Sequence, residues 1–330
     1  MKAWTVETPG HFSTSLGLRE KDAPVCPEDG VVFQVTAAAL NFPDLLIIAG
    51  KYQFKPPLPF SPGLEAVGVV TKAGAKSQFN PGQRVVCFHQ YGSYAEYCAA
   101  ADSSLFVVPN TMTDSHAAGM MVTYQTSYFA LVHRAQLAKG EALLVHGGAG
   151  GVGSSAIQIG KILGAKVIAT AGSDDKLEIC RRAGADHVIN YRDNDFVETV
   201  KALTSNRGAD VIYDPVGGEV FEKSTKCIAW CVRLVVVGFA SGQIPSIAAN
   251  RILLKNISIV GLHWGNYFRQ DIALVRAAHE KLIEWYEEER FRPFIYKEFP
   301  FEELPAALRA LEQRESHGKI ILTGASAKQT

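Results

Sequence analysis

The sequence of 330 residues predicts an α/β protein, with a doubly wound parallel sheet inserted in a β-rich domain. Three observations predict it. The first third is a series of short β-like runs broken by Gly and Pro. The middle alternates short apolar runs with helix-length segments. A cluster of glycines stands at the first strand-to-helix turn of that alternation.

In the first third, residues 31–37, 66–71, 84–88 and 93–99 read as strands. Pro24, Pro27, Pro56, Pro57, Pro59, Pro62 and the turn Asn80-Pro81-Gly82 punctuate them, as in an irregular, partly open barrel. Strands then fall at 142–146, 166–170, 187–190, 210–213, 233–237 and 257–260. Helices at 152–163, 174–183, 193–203 and 219–229 alternate with them. Near-continuous apolar strands alternating with helices imply a parallel sheet covered on both faces. A long amphipathic helix at 272–289, a strand at 296–299, a helix at 304–312 and a strand at 319–322 complete the chain. The layout is a β-rich domain of 1–122 and 266–330 around a dinucleotide-type domain of 123–265. Ligands are expected in the cleft between them.

Bulk properties narrow the function classes. Lys plus Arg (33) equals Asp plus Glu (33), which argues against a general polyanion-binding surface and nucleic acid as a partner. No apolar run is long enough to span a membrane, and the first ten residues carry no apolar signal core, so a cytoplasmic enzyme is expected. The tail 325–330 is polar and expected to fray. Cys26, Cys87, Cys98, Cys180, Cys227 and Cys231 are scattered without CxxC pairs, as free thiols in a reducing compartment would be. Cys227 and Cys231, four apart, would face one another on a helix, but no His or third Cys accompanies them as a metal site requires.

The glycine cluster is Gly147-Gly148-Ala149-Gly150-Gly151-Val152-Gly153. Between a strand and a helix it forms the Rossmann phosphate turn: glycine permits the tight bend and lets the backbone approach a pyrophosphate, and helix N-terminal amides meet its charge. A bare packing turn would not need so many small residues in a row. NAD sites usually place an acid at the end of the second strand. Here 166–170 runs into Ala171-Gly172-Ser173-Asp174-Asp175-Lys176, with no acid directly at the strand end. Ser173 and Lys176 suit a 2′-phosphate and favour NADPH. Asp174 and Asp175 count against it, and Ser173 also suits a helix cap.

Other segments resemble a known family. Asn41-Phe42-Pro43-Asp44, Gly50-Lys51-Tyr52, Pro62-Gly63-Leu64-Glu65, Gly68-Val69-Val70, Gly82-Gln83-Arg84-Val85 and Gly92-Ser93-Tyr94-Ala95-Glu96 follow in order. Ala185-Asp186-His187-Val188-Ile189-Asn190-Tyr191, Asp214-Pro215-Val216-Gly217-Gly218 and Gly318-Lys319-Ile320 continue the series. The chain resembles the zinc-free quinone oxidoreductases (zeta-crystallin-like) of the medium-chain dehydrogenase/reductase superfamily over nearly its whole length. The resemblance implies a Rossmann domain inserted in a GroES-like catalytic domain, a homodimer and NADPH as cofactor. Zinc enzymes of the superfamily carry a catalytic Cys in the segment matching 41–44 and a Gly-His-Glu motif. This chain has no thiol there and reads Gly63-Leu64-Glu65, so no metal is expected.

By resemblance, Thr123 lies near the nicotinamide, and Gly147, Gly150, Gly151, Val152 and Gly153 hold the pyrophosphate. Ser173, Lys176 and Tyr191 surround the 2′-phosphate. Val216, Gly238, Phe239, Leu262, His263 and Trp264 line the cofactor, and Lys319 matches a basic residue approaching it. Asn41 and Tyr52 are the catalytic candidates: Asn41 offers an amide donor, and Tyr52 a hydroxyl on an apolar wall. Asp44 suits a cap on the following helix as well as catalysis. Glu65 is expected to make an internal bond, with Arg84 as its candidate partner. His133 and Trp230 read as packed helix residues. Where some family members have a further Tyr after the Asp44 position, this chain has Leu45-Leu46-Ile47-Ile48, which implies a more apolar pocket.

Without a metal to lower an alcohol's pKa, acceptors that take hydride directly are favoured. The leading expectation is an NADPH-dependent quinone oxidoreductase. The alternatives are an enone or enoyl-thioester double-bond reductase, with Lys51, Lys55 and Arg269 available at a pocket mouth, and a non-catalytic NADPH-binding protein, crystallin-like or RNA-binding.

Overall fold

The computed structural model describes residues 1–324, and the tail 325–330 lies outside the described residues. Two compact units result. The first holds Met1–Val122 and the chain from Pro293 onward, and the second holds Thr123–Arg292.

The first unit is built on a seven-stranded sheet. Its order is Ile295–Pro300, Lys319–Thr323, Gly30–Ala39, Glu65–Ala73, Arg84–Phe88 and Leu105–Val107, with Tyr97–Ala101 also paired to Gly30–Ala39. The pairings are antiparallel except that of Ile295–Pro300 with Lys319–Thr323. A two-stranded ribbon, Lys2–Val6 with Leu16–Glu20, went unread in the sequence. Phe33, Tyr94 and Leu105 are fully buried in a core that also takes in Ile48, Leu304 and Leu308 from helices. Gly30–Ala39 is the hub because it alternates little: nearly every residue is apolar or small, as suits a strand covered on both faces.

The second unit is a six-stranded, all-parallel sheet in the order His187–Asn190, Lys166–Ala171, Ala142–Val145, Ala209–Asp214, Ile228–Val236, Ser258–Gly261. The strand first in chain order is thus central, and the winding reverses beside it. In open α/β sheets that switch point, at the carboxyl ends of the strands, is where ligands bind. Ala142–Val145 and Ala209–Asp214 are buried along their whole length, which explains their unbroken apolar reading.

The chain leaves the first unit inside helix Asp114–Tyr128 and returns at Pro293, not at 266. Helix Ile272–Glu287 belongs with the second unit: Gln125 Nε2 donates to Val275 O at 3.3 Å, Tyr124 stacks on Phe291 at 4.3 Å, and Arg292 N–H donates to Gln158 Oε1 at 3.0 Å. A second correction concerns 219–229. The helix there is Gly218–Ser224, and strand Ile228–Val236 begins four residues later. Register slips between the pairs Ala209↔Ile228 and Val211↔Arg233, and Cys231 takes a positive φ of 63°. This bulge leaves Trp230 68% exposed instead of packed in a helix. Cys227 is buried and Cys231 exposed, so the two thiols do not face one another.

Candidate active site

The second unit carries the nucleotide cradle. Strand Ala142–Val145 runs through His146 into the glycine turn, and helix Gly151–Ile162 starts from Gly150 as its N-cap. Gly147 takes φ 59°, a left-handed conformation that glycine adopts without strain. A Cβ on Gly153 would fall inside contact distance of Gly147 O, so the helix reaches this close to the turn only because that position is glycine. Gly150 N–H donates to Gly147 O at 2.9 Å and closes the turn. Val152 O accepts from Ser127 and Ser155 hydroxyls at 3.0 Å each, fixing the first helical turn from below. Pro215 and Val216 approach Gly147 from the neighbouring strand end, each with a side-chain carbon 3.7 Å from where a Cβ would stand. Asp214 Oδ1 accepts from Val216 and Gly217 N–H at 2.8 and 3.0 Å and shapes that second turn.

Below the cradle, His146 is 1% exposed. Its Nδ1 meets Thr170 Oγ1 at 3.1 Å and its Nε2 meets Ser224 Oγ at 2.9 Å. Ser224 donates its own proton to Val220 O, so Nε2 carries the imidazole proton and Thr170 donates to Nδ1. Burial lowers the His146 pKa to about 3. This neutral ring locks the strands and a helix under the glycine turn.

At the end of strand Lys166–Ala171, Gly172 and Ser173 lead into helix Asp174–Arg182. Ser173 holds the N-cap position without a side-chain cap bond. Lys176 is half-buried in the first turn, and Asp174 and Asp175 are exposed. The Tyr191 hydroxyl would stand 2.5 Å from a Cβ on Gly172, and Arg192 Nε 3.3 Å from it. Tyr191 thus packs over the turn at Gly172, next in the chain to Ser173. Arg192 joins them, a cation that the sequence reading missed and that its place beside Tyr191 could have suggested.

The remaining cofactor candidates of this unit differ in access. Gly238 N–H donates to Asp214 O at 3.4 Å, and Phe239 is 37% exposed. Leu262 N–H donates to Val236 O at 3.0 Å, and His263 is exposed. Trp264 is buried, edge-on to Phe268 at 5.2 Å, and so forms the floor of that loop and not its surface. Thr123 is buried, with its carbonyl accepting from Ser155 Oγ at 3.1 Å.

The first unit carries a second polar assembly, which is buried. Asn41 is the N-cap of helix Phe42–Ile48. Its N–H donates to Asp44 Oδ2 at 2.7 Å, so Asp44 does cap its own helix. Tyr94 Oη also donates to Asp44 Oδ2, at 2.7 Å, while Oδ1 is buried without a hydrogen-bond partner. Burial raises the Asp44 pKa to about 7, against the lowering effect of Tyr94, Asn41 and Lys319. Asn41 Nδ2 donates to Glu65 Oε1 at 2.8 Å, and Asn41 Oδ1 accepts from Lys319 Nζ at 2.7 Å. Lys319 also donates to Leu40 O and Glu65 Oε1, both at 2.8 Å. Glu65 Oε2 accepts from Val122 N–H at 2.7 Å.

One expectation changes here. Glu65 pairs with Lys319 and not with Arg84, whose guanidinium is taken by Asp114, Pro109 O and Met112 O. Lys319 is held inside the first unit at 4% exposure, its charge matched by Glu65. Asn41, with both ends of its amide engaged, orients this cluster. Tyr52 is half-buried against the same core, and burial and the Asp44 charge both raise its pKa, keeping the hydroxyl protonated.

A family model described as "Alcohol dehydrogenase GroES-like domain" matches residues 27–139, and one described as "Zinc-binding dehydrogenase" matches 151–280. "Quinone oxidoreductase-like protein 2" of Rattus norvegicus is 38% identical over 91% of this chain and 86% of its own length. The chain belongs to the quinone oxidoreductase family of the medium-chain dehydrogenase/reductase superfamily. The "Quinone oxidoreductase" of Mus musculus is 32% identical over 86% of each chain. Among solved structures, Escherichia coli quinone oxidoreductase complexed with NADPH superposes with a TM-score of 0.92 at 27% identity, covering 98% of this chain and 100% of that one. The sheet order and β-rich first unit described above are therefore this family's Rossmann-like and GroES-like parts. Among the described residues, no group of three or more His, Cys, Asp or Glu is placed to hold a metal. The model whose description names zinc matches 151–280; the segment Gly63-Leu64-Glu65 lies in the range of the GroES-like model, with Leu64 buried and Glu65 engaged by Lys319.

Proposed function

We propose that this chain is an NADPH-dependent quinone oxidoreductase that works without zinc. The observation that carries the cofactor half is the turn at Gly172, where Ser173, Tyr191 and Arg192 converge at a strand end that lacks an acid. An acid there would repel a 2′-phosphate, whereas these hydroxyls and the guanidinium suit one. The glycine turn at the start of helix Gly151–Ile162 suits the pyrophosphate, because glycine lets the backbone of a helix N-terminus come close to an anion. The E. coli and other family structures solved with NADPH support the reading.

Bound NADPH supplies a hydride, and a quinone that accepts it with one proton becomes a hydroquinone. This chain's residues bind, orient and protonate. Gly147, Gly150 and Gly153 admit the pyrophosphate, and the turns at Val216 and Gly238 border it. Tyr52, kept protonated by burial and by Asp44, donates to the acceptor oxygen. Asn41, Glu65 and Lys319 act as positioning residues. They hold the start of helix Phe42–Ile48, and with it Asp44, in one arrangement. The test is nicotinamide absorbance with quinones, an alkyl enone and an enoyl thioester. Turnover of the enone or thioester alone would transfer the chain to the double-bond reductases. Tight NADPH binding with no turnover would mean a binding role.

We further propose a homodimer in a reducing, cytoplasmic setting. Ser258–Gly261 is an edge strand of the parallel sheet, and Trp230, Leu253 and Leu254 are 68%, 72% and 72% exposed in the elements beside it. A twin chain pairing at this edge would cover both the free backbone groups and the apolar side chains. Sedimentation should give a dimer, and a wild-type monomer would contradict this. All six cysteines are free, and among the described residues no helix is long and apolar enough to cross a membrane.

A further inference from the structure

We propose that Phe54 and Tyr91 form a ring-recognition subsite for the acceptor, selecting electron-poor acceptors that are built on a planar ring over acyclic ones. The inference rests on the acceptor site described above and names the substrate class it takes. Phe54 and Tyr91 are stacked, with ring centroids 6.1 Å apart and planes 20° from parallel. Both are half-buried, so neither is sealed in the core. Tyr91 is fixed from behind by Phe60, edge-on at 79° and 6.1 Å. Phe60 is 4% exposed, and its backbone exchanges hydrogen bonds with Val6 at 2.8 and 3.2 Å. The stack therefore has an anchor of its own in the sheet.

Two short segments tie this stack to the polar cluster. The turn that ends in Tyr94 places Tyr91 against Phe54 and sends the Tyr94 hydroxyl to Asp44. It is secured by Ser93 N–H to Gly63 O at 3.2 Å and Tyr94 N–H to Pro62 O at 2.9 Å. The other segment carries Tyr52 and, two residues on, Phe54. Beyond it, Pro56, Pro57 and Pro59 restrict the backbone. The Tyr52 hydroxyl thus stands two residues before Phe54, and Phe54 brings Tyr91 with it through the ring stack.

The chemistry of those faces chooses the ligand. Phe and Tyr rings carry a negative face, which attracts a ring whose own face is depleted of electrons. A quinone ring is such a ring, and fusion to a second ring enlarges the stacked area. An acyclic enone has the carbonyl for Tyr52 but nothing for Phe54 and Tyr91.

The experiment compares wild type with Phe54→Ala and Phe54→Leu, the latter keeping apolar bulk without a ring. Acceptors are naphthoquinone, benzoquinone, benzylideneacetone and an alkyl enone. Both variants should raise KM for naphthoquinone about five- to tenfold, the range of an aromatic pair, with kcat nearly unchanged. Benzoquinone should lose less, and the alkyl enone almost nothing. Phe54→Trp should restore the naphthoquinone KM. An equal change for all acceptors, or none, would overturn the proposal while leaving the quinone reductase reading intact. If only enones are reduced, the quinone reading fails, and benzylideneacetone against the alkyl enone decides the ring question. If nothing is turned over, ligand-detected NMR with naphthoquinone against cyclohexane-1,4-dione decides it. Naphthoquinone binding that weakens in both variants supports the subsite, and equal binding overturns it.

Discussion

Lys319 Nζ lies 2.8 Å from Glu65 Oε1, with side chains 5% and 0% exposed. The two charges sit where water cannot screen them. Each therefore depends on the other and on Asn41, Leu40 O and Val122 N–H. Removing one partner of such a pair costs about 3–5 kcal/mol, because the remaining charge is buried alone. Lys319→Met and Glu65→Leu should each destabilise by about that much in urea denaturation. The double variant should be far less destabilised than the sum. Additive losses would show that the two side chains do not act as a pair.

Asp44 gives the protein a pH dependence of a definite sign. Burial raises its pKa from 3.8 to about 7, so the folded state holds a proton that the unfolded chain releases. Its stabilising contribution is complete below about pH 4 and is lost as pH rises to about 7, at most about 1.4 kcal/mol per pH unit. Asp44→Asn should flatten the stability profile across that window. An unchanged slope would mean that Asp44 is ionised throughout.

His146 and His89 act in the opposite direction. Burial lowers their pKa to about 3 and about 4, from 6.5. Both stay neutral when folded, so their contribution is complete above about pH 6.5 and is lost as pH falls toward those values. His146→Gln should be less stable at neutral pH but lose less stability between about pH 6.5 and 4. A wild-type-like acid slope in the variant would contradict the locked neutral ring.

The 2′-phosphate reading makes Arg192 and Lys176 selectivity residues. A charge-assisted hydrogen bond contributes about 1.5–3 kcal/mol, or roughly ten- to a hundredfold in affinity. Arg192→Ala and Lys176→Ala should each weaken NADPH by at least about tenfold while leaving NADH within about twofold. Equal losses for both cofactors would mean that the residues support the turn and do not read the phosphate.

Much of this architecture was legible because its signals are local. The glycine turn sits between a strand and a helix in the sequence itself, and the run Asn41 to Asp44 carries its own cap. What stayed hidden depends on distant partners. Glu65 and Lys319 are 254 residues apart, and nothing local says that a Lys on the last strand reaches Glu65 before Arg84 does. Trp230 and Cys231 read as helix because the apolar run around them has no period. Only the slip against Ala209–Asp214 shows that the segment bulges out of a strand. The boundary at Pro293 was missed for a similar reason, since the amphipathic pattern of Ile272–Glu287 says that the helix packs but not on which unit.

The most direct test of the account is the rate of NADPH oxidation by purified protein with naphthoquinone, measured beside NADH and after exhaustive treatment with a chelator. The account predicts quinone-dependent oxidation of NADPH, at least about tenfold faster than of NADH at equal low concentration and unaffected by the chelator. Failure to reduce any quinone while reducing an enone or enoyl thioester, a preference for NADH, or loss of activity on chelation would contradict it.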